Sequence, residues 1–130
     1  MAAGGGAGVA GELTAEQEAF RQVVAAFADE VVAPAVDDYV AAGRFPVELV
    51  RRMGELGLFG LPFPEEVGGV GGDYLTFCVA IEEIGRVDQS LGITLEAGVG
   101  LGAAPIAEFG TDEQRQRYLP RLCRGEALAA

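Results

Sequence analysis

SLGITLEAGVGLGAAPIAEFGTDEQRQRYLPRLCR, residues 90–124, is the stretch on which the fold turns. As far as Phe109 it is apolar on nearly every side and rich in Gly and Ala. A helix of that kind normally sits at the centre of a bundle, sheathed by its neighbours. Reading it as a membrane span fails on its content. Leu91 to Phe109 carries Glu96, Glu108, four Gly and Pro105, and one carboxylate near mid-bilayer costs ~3 kcal/mol. Thr94, Gly98 and Gly102 recur at i, i+4 and i+8, which makes a narrow groove where another backbone or a ligand can approach closely. Gly110 ends this helix. Thr111 and Gln114 then have capping-box spacing. Asp112 and Glu113 in the first turn and Arg121 and Arg124 in the last complement the helix dipole. Tyr118, Leu119, Leu122 and Cys123 form the apolar side, and Pro120 is expected to bend the helix.

Upstream, the same reasoning yields three more helices. Thr14 and Gln17 form a capping box, and Phe20, Val24, Phe27 and Val31 make one apolar stripe. Pro34 is expected to kink or restart this helix, which Val36, Tyr39 and Val40 continue towards Gly43. A second helix starts at Pro46, with Val50, Met53 and Leu56 inward, Glu48, Arg51, Arg52 and Glu55 outward, and Gly57 as its left-handed stop. Leu58 to Gly72 reads as a loop, because Pro62 and Pro64 forbid a central strand. Asp73 caps a third helix with Tyr74, Phe77, Cys78, Ile81 and Ile84 on one face. Ser90 opens the fourth. No stretch alternates with period two. The expected architecture is all-α, a bundle of about five helices over residues 12–130, preceded by a flexible, disordered tail at 1–11 that lacks the basic start and apolar run of a signal peptide.

Composition removes whole classes of chemistry. The 130 residues suit one domain. With no His, there is no Ser-His-Asp triad and no His metal site. All nine basic residues are Arg, so neither a Schiff-base nor a phosphate-loop lysine exists. The net charge of −11 disfavours nucleic acid and anionic lipid as partners. Cys78 and Cys123 fall on apolar stripes and read as buried, reduced thiols, consistent with a cytoplasmic location.

The remaining motifs read blandly. Gly68 to Gly72 lacks a strand before it and has Asp73 where a phosphate would sit, so it reads as a plain flexible connection. Glu82 and Glu83 diverge by ~100° around a helix and read as solvated or salt-bridged. Glu65 and Glu66 read as surface turn carboxylates, and Asp88 and Ser90 as caps and turns. Arg115, Arg117, Arg121 and Arg124 form a solvated face or a contact to another domain. Residue chemistry alone assembles no active site.

Several segments, in order, resemble the N-terminal domain of acyl-CoA dehydrogenases. They are Gly57-Leu58-Phe59-Gly60, Pro64-Glu65-Glu66 with Gly68-Gly69 and Gly71, and Ile81-Glu82-Glu83-Ile84-Gly85-Arg86 with Asp88 and Ser90. Leu101-Gly102, Pro105-Ile106, Phe109-Gly110-Thr111, Glu113-Gln114, Tyr118-Leu119-Pro120 and Gly125-Glu126 complete the set. The resemblance implies α,β-dehydrogenation of an acyl-CoA thioester. In that reaction a Glu base takes the α proton and FAD accepts the β hydride. Electron-transferring flavoprotein would be the acceptor and a homo-oligomer the assembly. It also implies that this chain matches roughly the first third of such an enzyme. The flavin contacts, the middle β domain and the usual catalytic Glu would then lie outside it, so no catalytic residue is assigned here. On that resemblance the fourth helix lines the acyl cavity, with Ile93, Thr94, Ala97 and Leu101 as wall positions and Gly98 as a close-approach site. Acyl-CoA oxidases and nitroalkane oxidases share the fold. A non-catalytic helical interaction module is the alternative.

Overall fold

The computed structural model describes residues 12–129; the expected tail at 1–11 lies outside them. Five rods run in chain order: α1 (15–42), α2 (Val47–Glu55), α3 (Tyr74–Val87), α4 (Gln89–Phe109) and α5 (Asp112–Cys123). There is no strand among the described residues, as the missing period-two alternation requires.

The helix starts follow local chemistry. Thr14 and Thr111 each complete a capping box, with Gln17 and Gln114 respectively. The Asp73 carboxylate accepts the Thr76 amide at 2.8 Å. Asp88, two residues ahead of the expected start at Ser90, caps α4 by accepting from the Leu91 amide at 2.9 Å. Pro46 sits at the cap of α2 instead of inside its first turn. Gly43 and Gly57 close α1 and α2 in the left-handed conformation, which costs glycine nothing.

Two prolines leave the same signature. A π-helical segment, Ala28–Val32, precedes Pro34, and another, Ala97–Ala103, precedes Pro105. Proline has no N–H and its ring clashes with the carbonyl four residues back. The wider i→i+5 turn relieves that clash, as when the Ala33 amide reaches the Ala28 oxygen. The helices therefore pass through their prolines without ending, and α5 runs on through Pro120 as well.

The core gathers Val24, Phe27 and Val32 of α1, Leu49, Val50 and Met53 of α2, and Phe77, Ala80 and Ile84 of α3. Leu91, Leu95 and Val99 of α4 and Leu119, Leu122 and Cys123 of α5 also belong to it. Several residues expected on apolar faces are exposed instead, Tyr118 of α5 among them. Leu56 faces solvent because α2 buries Leu49 and Gly54 in its place. Tyr74 and the Cys78 thiol are exposed because α3 turns Phe77, Val79 and Ala80 inward. Gly85 and Gly92 are what let α3 and α4 approach: at Gly92 a Cβ would come within 2.9 Å of the Gly85 Cα.

The segment between α2 and α3 differs most from its reading as a flexible connection. Leu58, Phe59, Leu61, Phe63 and Val67 are all buried. Val70 N–H donates to the Gly60 carbonyl at 2.8 Å, Gly71 to Phe63 at 2.8 Å and Gly72 to Leu61 at 2.7 Å. A Cβ at Gly69 would overlap the Phe63 carbonyl. These glycines serve close backbone packing. Across α1 and α3, Arg21 pairs with Glu82 at 3.3 Å and Glu83 at 3.6 Å, and Arg86 with Asp29 at 3.0 Å. Both carboxylates are thus salt-bridged, as read from their divergence on the helix.

Candidate functional site

The fourth helix departs from its expected central position in a way that exposes a candidate surface. Leu91, Leu95, Val99 and Ala103 point into the core. The opposite side has no neighbour among the described residues: Ile93 is 57% exposed, Leu101 67% and Phe109 82%. About a third of the most apolar window of Gln89–Phe109 is buried. The result is an unusually apolar helix with one face inward and one open.

The five expected wall residues divide between these faces. Ile93 and Leu101 lie on the open face, and Ala97 and Thr94 are half-buried at its edge. The Thr94 hydroxyl donates to the Ser90 carbonyl at 2.8 Å. Its one donor is spent within its own helix, and the methyl group is its apolar contribution. Gly98 lies on the buried side. A Cβ there would stand 3.1 Å from the Phe59 ring and 3.6 Å from Leu128. The groove of small residues is thus filled by the chain itself, since Gly102 likewise takes the backbone of Ala129. Sequence reasoning passed over Glu96 and Phe109, which share the exposed surface of the helix. Their signal was present in the run of residues that the core does not need. The π segment across Ala97–Ala103 shifts the helical register, so simple i, i+4 counting lost it.

Around this surface the titratable groups do not converge. No set of three or more potential metal ligands occurs among the described residues. Cys123 is buried, and burial pushes its thiol up to about 11, so it is neutral and inert as a nucleophile at pH 7. The clear carboxylate shifts have local structural causes. The Tyr39 phenol donates to Glu48 at 2.8 Å and lowers its pKa. Hydrogen bonds from Thr76 lower Asp73, and the Arg124 guanidinium lowers Glu126. The arrangement can present apolar surface.

At the far end of α4 one arginine does fixed structural work. Arg115 donates from Nε to the Ala107 carbonyl at 2.8 Å and from Nη2 to Glu108 at 3.4 Å, while pairing with Asp112 at 3.1 Å. It ties the carbonyl end of α4 to the start of α5 and is not merely part of a solvated face.

Comparison with known proteins places this geometry in a family. Residues 14–126 match the family model described as acyl-CoA dehydrogenase, N-terminal domain. The probable acyl-CoA dehydrogenase YngJ of Bacillus subtilis is 45% identical over 119 residues, covering 92% of this chain but 31% of that protein. One similar solved chain comes from a structure described as the electron transferring flavoprotein of Acidaminococcus fermentans. It has a TM-score of 0.87 and 41% identity, covering 92% of this chain and 32% of that one. The acyl-CoA dehydrogenase of Bacillus anthracis, solved in complex with FAD, has a TM-score of 0.84 and 36% identity, covering 91% of this chain and 20% of that one. The chain therefore spans about a third or less of the length of these relatives. By the family model and by fold, it belongs to the acyl-CoA dehydrogenase family and corresponds to that family's N-terminal helical domain.

Proposed function

We propose that this chain is the N-terminal domain of an FAD-dependent acyl-CoA dehydrogenase, and that the open face of α4 forms one wall of the cavity for the acyl chain. The observation that carries this reading is the row Ile93, Ala97 and Leu101, an apolar face left bare on a helix whose other side is fully used. Thr94 borders it with a methyl group. Gly98 contributes from behind, by letting α4 settle against Phe59. An alkyl chain laid on such a face gains ~0.8 kcal/mol per buried CH₂.

In this reading the domain binds and orients the substrate's tail, while the oxidation is carried out elsewhere. A bound flavin would supply the oxidation chemistry. The described residues do not themselves fit as its holder. The amides of the glycine-rich loop, which resemble a phosphate cradle in sequence, are spent on carbonyls between residues 60 and 65. The flavin, the base and the main oligomer contacts would then belong to other parts of a complete, homo-oligomeric, cytoplasmic enzyme. Electron-transferring flavoprotein would take its electrons.

The test compares two purified proteins, this chain and the complete protein containing it. The complete protein should carry flavin absorbance and reduce an electron-acceptor dye when given an acyl-CoA. The 130-residue chain should do neither. Turnover by the isolated chain would overturn its assignment as a binding wall. A complete protein without flavin or turnover would favour a non-catalytic helical module.

A further inference from the structure

Leu91 and Phe109 stand eighteen residues apart on α4, which is five full turns of an uninterrupted α-helix at about 3.6 residues each. On such a helix they would face the same way. Leu91 is 1% exposed and Phe109 82%. Between them lies the π segment Ala97–Ala103. One extra residue in its wide turns sets the distal part of α4 back by about 100°, the angle that an α-helical residue advances. That offset takes Phe109 off the core side. It also keeps Leu101 and Pro105 in line with Ile93 and Ala97, positions four apart that an α-helix would fan out by about 40° at each step.

Pro105 is what holds the segment open. The Ala104 amide donates to the Val99 carbonyl, five residues back, and Pro105 has no amide to give. The Gly100 carbonyl thereby loses both of these helical partners, and the Leu101 carbonyl loses its α-helical one. Pro105 is exposed, so the core has no use for its ring.

We propose that Pro105 is a positioning residue for the acyl wall. By holding the π segment it keeps Leu101 on the same open side as Ile93 and Ala97, and so sets how far along α4 an alkyl chain can follow. This rests on the reading of α4 as an acyl wall and adds to it the residue that sets the wall's direction. With an amide at position 105, Ala104 can bond Gly100, residue 105 can bond Leu101, and the helix closes to α throughout. The row then breaks beyond Ala97.

Two measurements on Pro105→Ala test this. In this chain, the NMR coupling across the Ala104 hydrogen bond should move from the Val99 carbonyl carbon to that of Gly100. In the complete protein, kcat/KM for straight-chain acyl-CoA substrates should hold for short chains and fall about fifteenfold for chains that reach past Leu101, about fourfold for each of two methylenes that lose the wall. Pro105→Gly returns the same amide without a side chain and should behave alike. Pro34→Ala alters the matching π segment of α1, away from the wall, and should leave the ratio of long to short chains unchanged. Three results would overturn the proposal: Ala104 keeping Val99 as its acceptor, an equal loss at every chain length, or a ratio that Pro34→Ala shifts as far. Leu101→Trp separates this from failure of the wall itself. A profile that responds to Leu101→Trp and not to Pro105→Ala leaves the wall standing and removes Pro105 from it, whereas one indifferent to both removes the wall.

Discussion

Gly54 and Gly85 allow the packing to be tested by one chemical change with two opposite outcomes. Both lie within helices with ordinary right-handed backbone, so replacing either with Ala has the same intrinsic effect, a gain of up to ~1 kcal/mol in helix propensity. Their surroundings differ. Nothing lies within 4 Å of a Cβ built on Gly85, so Gly85→Ala should keep most of that gain. A Cβ on Gly54 overlaps the Arg124 carbonyl and comes within 2.9 Å of the Gly125 Cα. Both obstacles are backbone, and Gly125 itself holds φ at +67°, so no side-chain rotation relieves the clash. Overpacking of this kind costs roughly 1–3 kcal/mol or more, which leaves Gly54→Ala about 2 kcal/mol less stable after the propensity gain. For a domain of this size 1 kcal/mol moves Tm by roughly 3–6 °C. Thermal unfolding of the isolated chain, followed by circular dichroism at 222 nm, should therefore rise by about 3–5 °C for Gly85→Ala and fall by about 6–12 °C for Gly54→Ala. Equal shifts, or a stabilised Gly54→Ala, would refute the contact between α2 and the end of α5.

Three further outcomes follow from the same geometry. Arg115→Met removes the donor to the Ala107 carbonyl and should cost about 1 kcal/mol in denaturant unfolding, the partly exposed site keeping the loss below that of a buried charged hydrogen bond. A thiol reagent should modify Cys78 at once and Cys123 only on unfolding, because the first is exposed and the second buried; one fast and one slow equivalent in the native chain is the expected trace. The raised Cys123 pKa also has a pH signature. Between the ordinary thiol value of 9.0 and about 11 the unfolded chain has lost a proton that the folded chain keeps, so the stability from this group is full below pH 9 and falls as pH rises through that window. Cys123→Ala should flatten that part of the stability curve.

Sequence reasoning worked best where one residue decides one local event. Thr14, Asp73 and Thr111 are caps because a short oxygen-bearing side chain meets an orphan amide, and all three act as read. It failed where the deciding partner is remote. Tyr74 and Cys78 share a helical period with Phe77 and Ile84, but the arc that α3 buries was set by the close crossing at Gly85 and Gly92. Leu58 to Gly72 has no helical or strand period, so its contribution to the core was invisible. Hydrogen bonds such as Val70 to Gly60 connect residues whose pairing no local pattern announces. The site was legible as a helix and not as a face. Composition identified α4 as apolar on all sides, but it could not distinguish a helix already enclosed from one with a side still open. Gly98 illustrates the limit: its small size was noticed, while the partner that needs it, Phe59, lies 39 positions earlier in the chain.

Leu101 offers the most direct test of the wall. It is 67% exposed in this domain, so Leu101→Trp should fill space over α4 without disturbing the core. In the complete protein, kcat/KM would be measured across a series of straight-chain acyl-CoA substrates, with Val40→Trp, at another exposed position, as the control. A wall at Leu101 predicts that short chains are turned over as before while longer ones lose about fourfold for each methylene denied burial, and that Val40→Trp leaves the series unchanged. A Leu101→Trp profile that matches the unaltered protein at every chain length would contradict it.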